Sequence, residues 1–140
     1  MKKTPITVQA SIAATLQKVW DFWTGPEHIT KWNQASDDWH CPKASNDPRT
    51  GGKFSSTMAA KDGSMSFDFE GVYDEVIPRE MIRYTMADGR EVSVVFEGKE
   101  GITLVTETFD PESMNSEELQ RAGWQAIMDS FKRYVQGAGS

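Results

Sequence analysis

From Asn115 onward the chain changes period, and that change limits what it can fold into. Leu119, Trp124, Ile127, Met128, Phe131, Tyr134 and Val135 recur along one broad helical stripe. Asn115 with Glu118 resembles a capping box, Lys132-Arg133 suits the negative end of the helix dipole, and Gly137 suits the C′ position. About twenty residues at ~1.5 Å each predict a helix of roughly 30 Å, long enough to cross a whole sheet. Such a stripe must be buried, and the residues before it have to supply the surface that buries it.

Those residues read as β. Ile6, Val8, Ala10 and Ile12 alternate with polar neighbours, the period of a half-buried strand. Thr15 can cap a helix in which Leu16, Val19, Trp20 and Trp23 fall at i, i+3, i+4 and i+7. Gly25-Pro26 ends it, glycine suiting C′ and proline being unable to continue a helix, and a short second helix is predicted from about Glu27 to Trp32. A strand over Asp38–Ala44 precedes Lys53–Ala60 and Met65–Ile77, which flank an Asp62-Gly63 hairpin signal. Met81–Ala87 and Glu91–Glu97 flank Asp88-Gly89, and Ile102–Phe109 comes next. Short turns between successive strands imply an antiparallel meander. The expected order is one strand, two short helices, six strands and one long helix. A strongly twisted sheet cannot touch a straight helix along its full length. An interior space is therefore expected where they diverge, with the short helices placed to close it.

At 140 residues the chain is expected to form a single domain, and its 38% hydrophobic and 26% charged residues are ordinary for a globular one. A net charge of −6 leaves no excess of cations to neutralise phosphates, so no nucleic-acid partner is expected. Lys2-Lys3 resembles the start of a signal peptide, but Pro5, Thr7, Gln9 and Ser11 interrupt the apolar run that such a peptide needs. No eighteen apolar residues run together, so no membrane span is expected. One cysteine, Cys41, cannot form an internal disulfide and fits a reducing compartment; the expected location is cytoplasmic.

The stretch WNQASDDWHC, residues 32–41, invites a catalytic reading. On a strand, however, His40 and Cys41 point to opposite faces and cannot form a nucleophile–base pair. Asp38 and His40 share a face and read as a solvated pair, with Trp39 and Cys41 inward. Without HExxH or CxxC spacing no metal site is expected, and no cofactor. Glu107 and Asp110 read as solvated carboxylates without shared catalytic geometry.

Met65, Phe67 and Phe69 alternate inward from Ser66, Asp68 and Glu70, as do Ile82, Tyr84 and Met86, and Val92, Val94 and Phe96. Phe54 and Met58 join them with Ser56 between. Such residues form a core or line a cavity, and a pocket favours aromatic and methionine walls with a few polar groups. Ser56, Tyr84 and Thr106 are the polar candidates, Tyr84 foremost because a buried hydroxyl needs a partner. Gly123 inside the long helix costs roughly 1 kcal/mol relative to alanine, which points to a close approach there. Trp124 and Met128 lie beyond it on the buried stripe. Trp32 ends the second helix beside a polar loop, a position suited to an entrance or a dimer interface.

Four segments, VWDFWTGPEHITKW, Gly51-Gly52-Lys53-Phe54, EGVYDEVIPREMIRYT and AGWQAIMDSFKRYV, stand in the order found in the START-like, Bet v 1-type (SRPBCC) superfamily. The chain resembles the branch named for the C-terminal domain of the Hsp90 ATPase activator, often labelled polyketide-cyclase-like, over about residues 6 to 136. The resemblance implies an α+β helix-grip fold: a seven-stranded antiparallel sheet wrapped around the C-terminal helix, with an apolar cavity between them. It also raises homodimerisation. The eukaryotic activator engages its chaperone with an additional N-terminal domain that these 140 residues do not include, so direct chaperone activation is not expected.

The leading expectation is a non-enzymatic carrier or sensor of a small, largely hydrophobic molecule. Its cavity lining is expected from Trp32, Trp39, Phe54, Ser56 and Met58, from Phe67, Phe69, Tyr84 and Met86 on the strands, and from Trp124 and Met128 on the helix. A cyclase- or hydrolase-like enzyme is the second reading. It needs a titratable group inside the cavity, and the inward set holds only Tyr84 and Cys41. A co-chaperone-like interaction module is the third, and it requires an exposed apolar patch over a filled core.

Overall fold

A computed structural model describes residues 4–34 and 36–137; Lys2-Lys3 and Ala35 of the WNQASDDWHC stretch lie outside them. The elements are β1 (Ile6–Ile12), α1 (Leu16–Thr24), α2 (Pro26–Trp32), β2 (Trp39–Asn46), β3 (Lys53–Ala60), β4 (Ser66–Ile77), β5 (Met81–Met86), β6 (Glu91–Lys99), β7 (Ile102–Phe109) and α3 (Glu117–Gly137). All seven strands form one antiparallel sheet in the order β1-β7-β6-β5-β4-β3-β2. The fold is the α+β helix grip. No helix among the described residues is long and apolar enough to cross a membrane.

The hairpin signals act as expected. Gly63 and Gly89 take φ of 79° and 93°, the left-handed region glycine enters without a Cβ clash. At the second turn the Asp88 carboxylate accepts from the Arg90 backbone N–H at 3.1 Å and from its guanidinium Nε–H at 2.8 Å, which fixes the Arg90 side chain.

Three local expectations need correction. Gly25 has φ −74° and is not left-handed; α1 stops because Pro26 opens α2, and a Cβ at Gly25 would come within 3.0 Å of the Asp21 carbonyl. At the start of α3 it is the Ser116 hydroxyl, not Asn115, that accepts the Leu119 N–H at 3.1 Å. That start turns Leu119 outward and Gln120 inward, where its amide donates to the carbonyls of Glu112 and Asn115.

The helix lies along one side of the sheet. α3 packs on edge strand β1 and touches α1 and α2, while α2 packs on the opposite edge strand β2. Ile6, Val8 and Ile12 from β1 are buried with Met128, Phe131 and Val135 from α3. The sheet curls away from α3 over β3, β4 and β5, and there the interior is not filled.

Candidate functional site

The unfilled part is a cavity of about 310 Å³, at the small end of ligand-pocket volumes. Phe54, Ser56 and Met58 on β3, Phe67 and Phe69 on β4, and Tyr84 on β5 all reach it, as do Trp32 and Trp124. Its aromatic wall is continuous: Phe54 meets Tyr84 edge to face at 4.8 Å, and Phe69 meets Tyr84 at 6.4 Å and Trp124 at 6.3 Å. Gly71 makes room for this arrangement. A Cβ there would fall 2.7 Å from the Phe54 ring and 2.7 Å from the Thr85 carbonyl. Phe67, 53% exposed, marks where the cavity meets solvent.

Trp32 is a wall and not a surface residue. It is 5% exposed, its indole N–H donates to the Phe22 carbonyl at 2.9 Å, and its own carbonyl accepts the Ser130 hydroxyl at 2.8 Å. Trp124 both locks and lines. Its ring stacks on Phe109 at 3.8 Å and 10°, while it also borders the cavity. Trp39, Met86 and Met128 are not on the cavity wall. Trp39 packs beside Phe67 at 6.0 Å, and Met86 and Met128 are buried in the core.

Glu107 overturns the expectation of a solvated carboxylate. Along β7 the buried positions are Thr103, Val105, Glu107 and Phe109, so the acid points inward and Thr106 does not. It stands between Val8 of β1 and Val94 of β6, is 6% exposed, and borders the cavity. Among the described residues no group hydrogen-bonds its carboxyl. No buried side-chain oxygen among them is sealed away without a partner, so the Glu107 oxygens touch the open space. Burial among apolar neighbours penalises the charged form and pushes its pKa up to about 8.

Tyr84 is in the same position. It is buried, and among the described residues its hydroxyl has no hydrogen-bond partner. Burial first, then Glu107 and Tyr73 nearby, raise its pKa well above that of an ordinary phenol, against a smaller opposing effect of Arg90. Tyr73, by contrast, is satisfied: its hydroxyl donates to Asn46 Oδ1 at 2.5 Å, and the Asn46 amide donates to the Thr24 carbonyl at 2.7 Å.

The chain matches the family model described as activator of Hsp90 ATPase homolog 1-like protein over residues 13–136. The chain belongs to that family. It is similar to the solution structure of an AHSA1-like protein from Aeromonas hydrophila, with 45% identity, a TM-score of 0.91, and coverage of 97% of this chain and 94% of that one. A Cytophaga hutchinsonii protein is 54% identical with a TM-score of 0.82, over 94% of this chain and 92% of that one. The Aha1 dimer from Colwellia psychrerythraea, at 17% identity and a TM-score of 0.72 over 99% and 100% of the two chains, shares the fold. No curated protein matches the sequence.

Within this AHSA1-like chain the WNQASDDWHC stretch holds no assembled catalytic group among the described residues. The Cys41 thiol is buried and donates to the Lys43 carbonyl at 3.5 Å; burial pushes its pKa up, against smaller effects of Lys43 and Ser56. His28 Nδ1 meets the Tyr134 hydroxyl at 2.8 Å, and Asp38 accepts from Ser36. Among the described residues no group of three His, Cys, Asp or Glu side chains could hold a metal. The Gly123 expectation also fails, since a Cβ there would meet nothing within 4 Å. The polar lining residues missed by sequence reasoning are Asn33, Ser45, Arg90, Glu107 and the Tyr73–Asn46 pair. Glu107 was accessible to it: Val105 and Phe109 belong inside, and a strand that buries both also buries the residue between them on that face.

Proposed function

We propose that this AHSA1-like protein binds a small, largely hydrophobic molecule in the cavity beside α3, as a carrier or sensor. The observation that carries the reading is the continuous aromatic wall of Phe54, Phe69, Tyr84 and Trp124 around unfilled space. Apolar burial supplies most of the affinity, at about 25 cal/mol per Å² before association costs. The cytoplasmic location belongs to the same proposal, and a lone buried Cys41 suits it.

Two other readings are weaker. A cyclase- or hydrolase-like enzyme gains support from Glu107, the titratable acid in the cavity that such a reading requires. A co-chaperone-like module has the family name in its favour, together with the exposure of Phe67 at the mouth and of Met65, which the alternation places inward. An unfilled interior speaks against it. Homodimerisation is a separate proposal. It rests on the dimeric Colwellia protein of the same fold and is tested by sedimentation velocity.

Native mass spectrometry of the purified protein, followed by thermal-shift measurements with hydrophobic metabolites, tests the main reading. A ligand at a hundred times its dissociation constant stabilises the fold by about 2.7 kcal/mol. The expected outcome is a bound molecule or a saturable rise in Tm that Trp124→Ala abolishes. A protein that comes empty and is indifferent to every ligand class sinks the reading in favour of the interaction module.

A further inference from the structure

Resting on the ligand-binding reading above, we propose that the cavity's ligand carries a neutral carbonyl, whose oxygen is received by two donors, the Glu107 carboxyl and the Tyr84 hydroxyl. Both side chains project from the inner face of the sheet, Tyr84 from β5 and Glu107 from β7, into one apolar space. Among the described residues neither finds a hydrogen-bond partner in the protein. A buried polar group left unmet costs about 1–3 kcal/mol, so two unmet groups facing one cavity point to a polar atom of the ligand between them.

The surroundings decide the chemistry of that atom. Around Glu107, β1 and β6 present Val8 and Val94, β5 presents Ile82 and Tyr84, and α3 brings Trp124 and Ile127 to the same cavity. The other titratable or charged groups on the cavity wall are Tyr73, engaged by Asn46, and Arg90, tied to Asp88. With its acid uncharged near neutral pH, the site offers two O–H donors and a nearby cation. That set suits an acceptor. A ligand ammonium pairs well only with an ionised Glu107, which burial disfavours, and a carboxylate would be repelled as soon as Glu107 ionised.

Three probes on one two-ring scaffold separate these cases: benzophenone, diphenylmethane and benzhydrylamine, titrated calorimetrically from pH 6 to 9.5. Benzophenone is expected to bind at least about tenfold tighter than diphenylmethane at pH 6.5, the combined effect of two buried hydrogen bonds of modest net strength. Its affinity is expected to fall about tenfold between pH 7 and pH 9, because a group with a pKa of about 8 must regain its proton to donate. Glu107→Gln keeps an N–H donor, so it retains the ketone preference and loses the pH dependence. Glu107→Leu lowers the preference to what the Tyr84 hydroxyl alone supplies, and Glu107→Leu with Tyr84→Phe removes it, while diphenylmethane, the control for an intact cavity, binds as before. Equal binding of ketone and hydrocarbon overturns the carbonyl assignment and leaves the ligand-binding reading standing. Tightest binding of the amine, strengthening as pH rises until the amine loses its own proton, replaces it with a carboxylate–cation site. Failure of all three probes to bind at any pH overturns it together with the hydrophobic-ligand reading.

Discussion

At one end of the interior, Trp23, Trp32 and Phe131 meet one another at 4.8 to 5.1 Å, with Trp20 and Trp23 edge-on to Phe96, and of these rings only Trp23 and Trp32 border the cavity. At the other end, Phe54, Phe69 and Tyr84 stand 4.8 to 6.4 Å apart and surround open space. Residue types scarcely distinguish the two ends; the partner does. The first is capped by α1 and α2 folded against the C-terminal half of α3, whereas the second faces a helix that leans toward β1. Polar groups obey the same division. Trp32 has both its N–H and its carbonyl met, while Glu107 and Tyr84 are left facing the cavity.

Truncation on either side should give unequal losses. Phe131 is fully buried in the closed cluster, so Phe131→Ala leaves a void that its neighbours cannot collapse into, at a cost of about 3–5 kcal/mol. Trp124→Ala gives up the stack on Phe109, but one side of the indole already borders empty space, so about 2 kcal/mol is expected. Urea unfolding of the two variants compares them. Equal losses would mean that the cavity end is packed as tightly as the other.

Glu107 gives the comparison a pH axis. Its folded pKa of about 8 lies above its unfolded value near 4.5, so between those limits the folded state holds a proton that the unfolded state has released. The associated stability is fully present below about pH 4.5 and is lost as pH rises toward 8, at roughly 1.4 kcal/mol per pH unit. Asp62, Asp88 and Glu112 have lowered values and act at the acid side of this window, and the tyrosines act above it. Subtracting the Glu107→Gln stability curve from that of the parent isolates the acid. The expected difference is a steady loss from pH 5 to pH 8 that then levels off. A flat difference curve would mean that the carboxyl finds charge compensation, and the contrast between a satisfied end and an unsatisfied one would fail.

The sequence carried the architecture because periodicity and turn chemistry act locally. Asp-Gly pairs at 62–63 and 88–89 set two hairpins, and the stripe ending in Phe131 and Val135 set the long helix. It carried the site less well, for two physical reasons. Alternation tells which face a side chain takes but not what stands opposite, so Met86 and Met128 read like Met58 although only Met58 reaches open space. A charged residue in a strand also reads as solvated by default. The parity of Val105 and Phe109 contradicts that default for Glu107, and only an interior gap makes the burial tolerable. Cap details such as Ser116 in place of Asn115 turn on a single hydroxyl's direction, which composition does not encode.

The mildest test concerns two glycines, one on the sheet and one on α3. A Cβ at Gly71 would collide with the Phe54 ring and the Thr85 carbonyl at 2.7 Å, and the carbonyl cannot yield without disturbing the β4–β5 pairing. At Gly123 a Cβ meets nothing within 4 Å, and the backbone there is helical. Gly123→Ala is therefore expected to stabilise the protein by about 0.5–1 kcal/mol through helix propensity and a less free unfolded chain. Thermal unfolding of the two alanine variants, free of ligand, checks this by sign. A gain at 123 with a loss at 71 means that the space is held open from the sheet side, by a wall that cannot move, and that the helix is free to accept a methyl group. A loss at 123 would mean that α3 sits closer to the sheet than its neighbours allow, and the cavity beside it would have to be smaller.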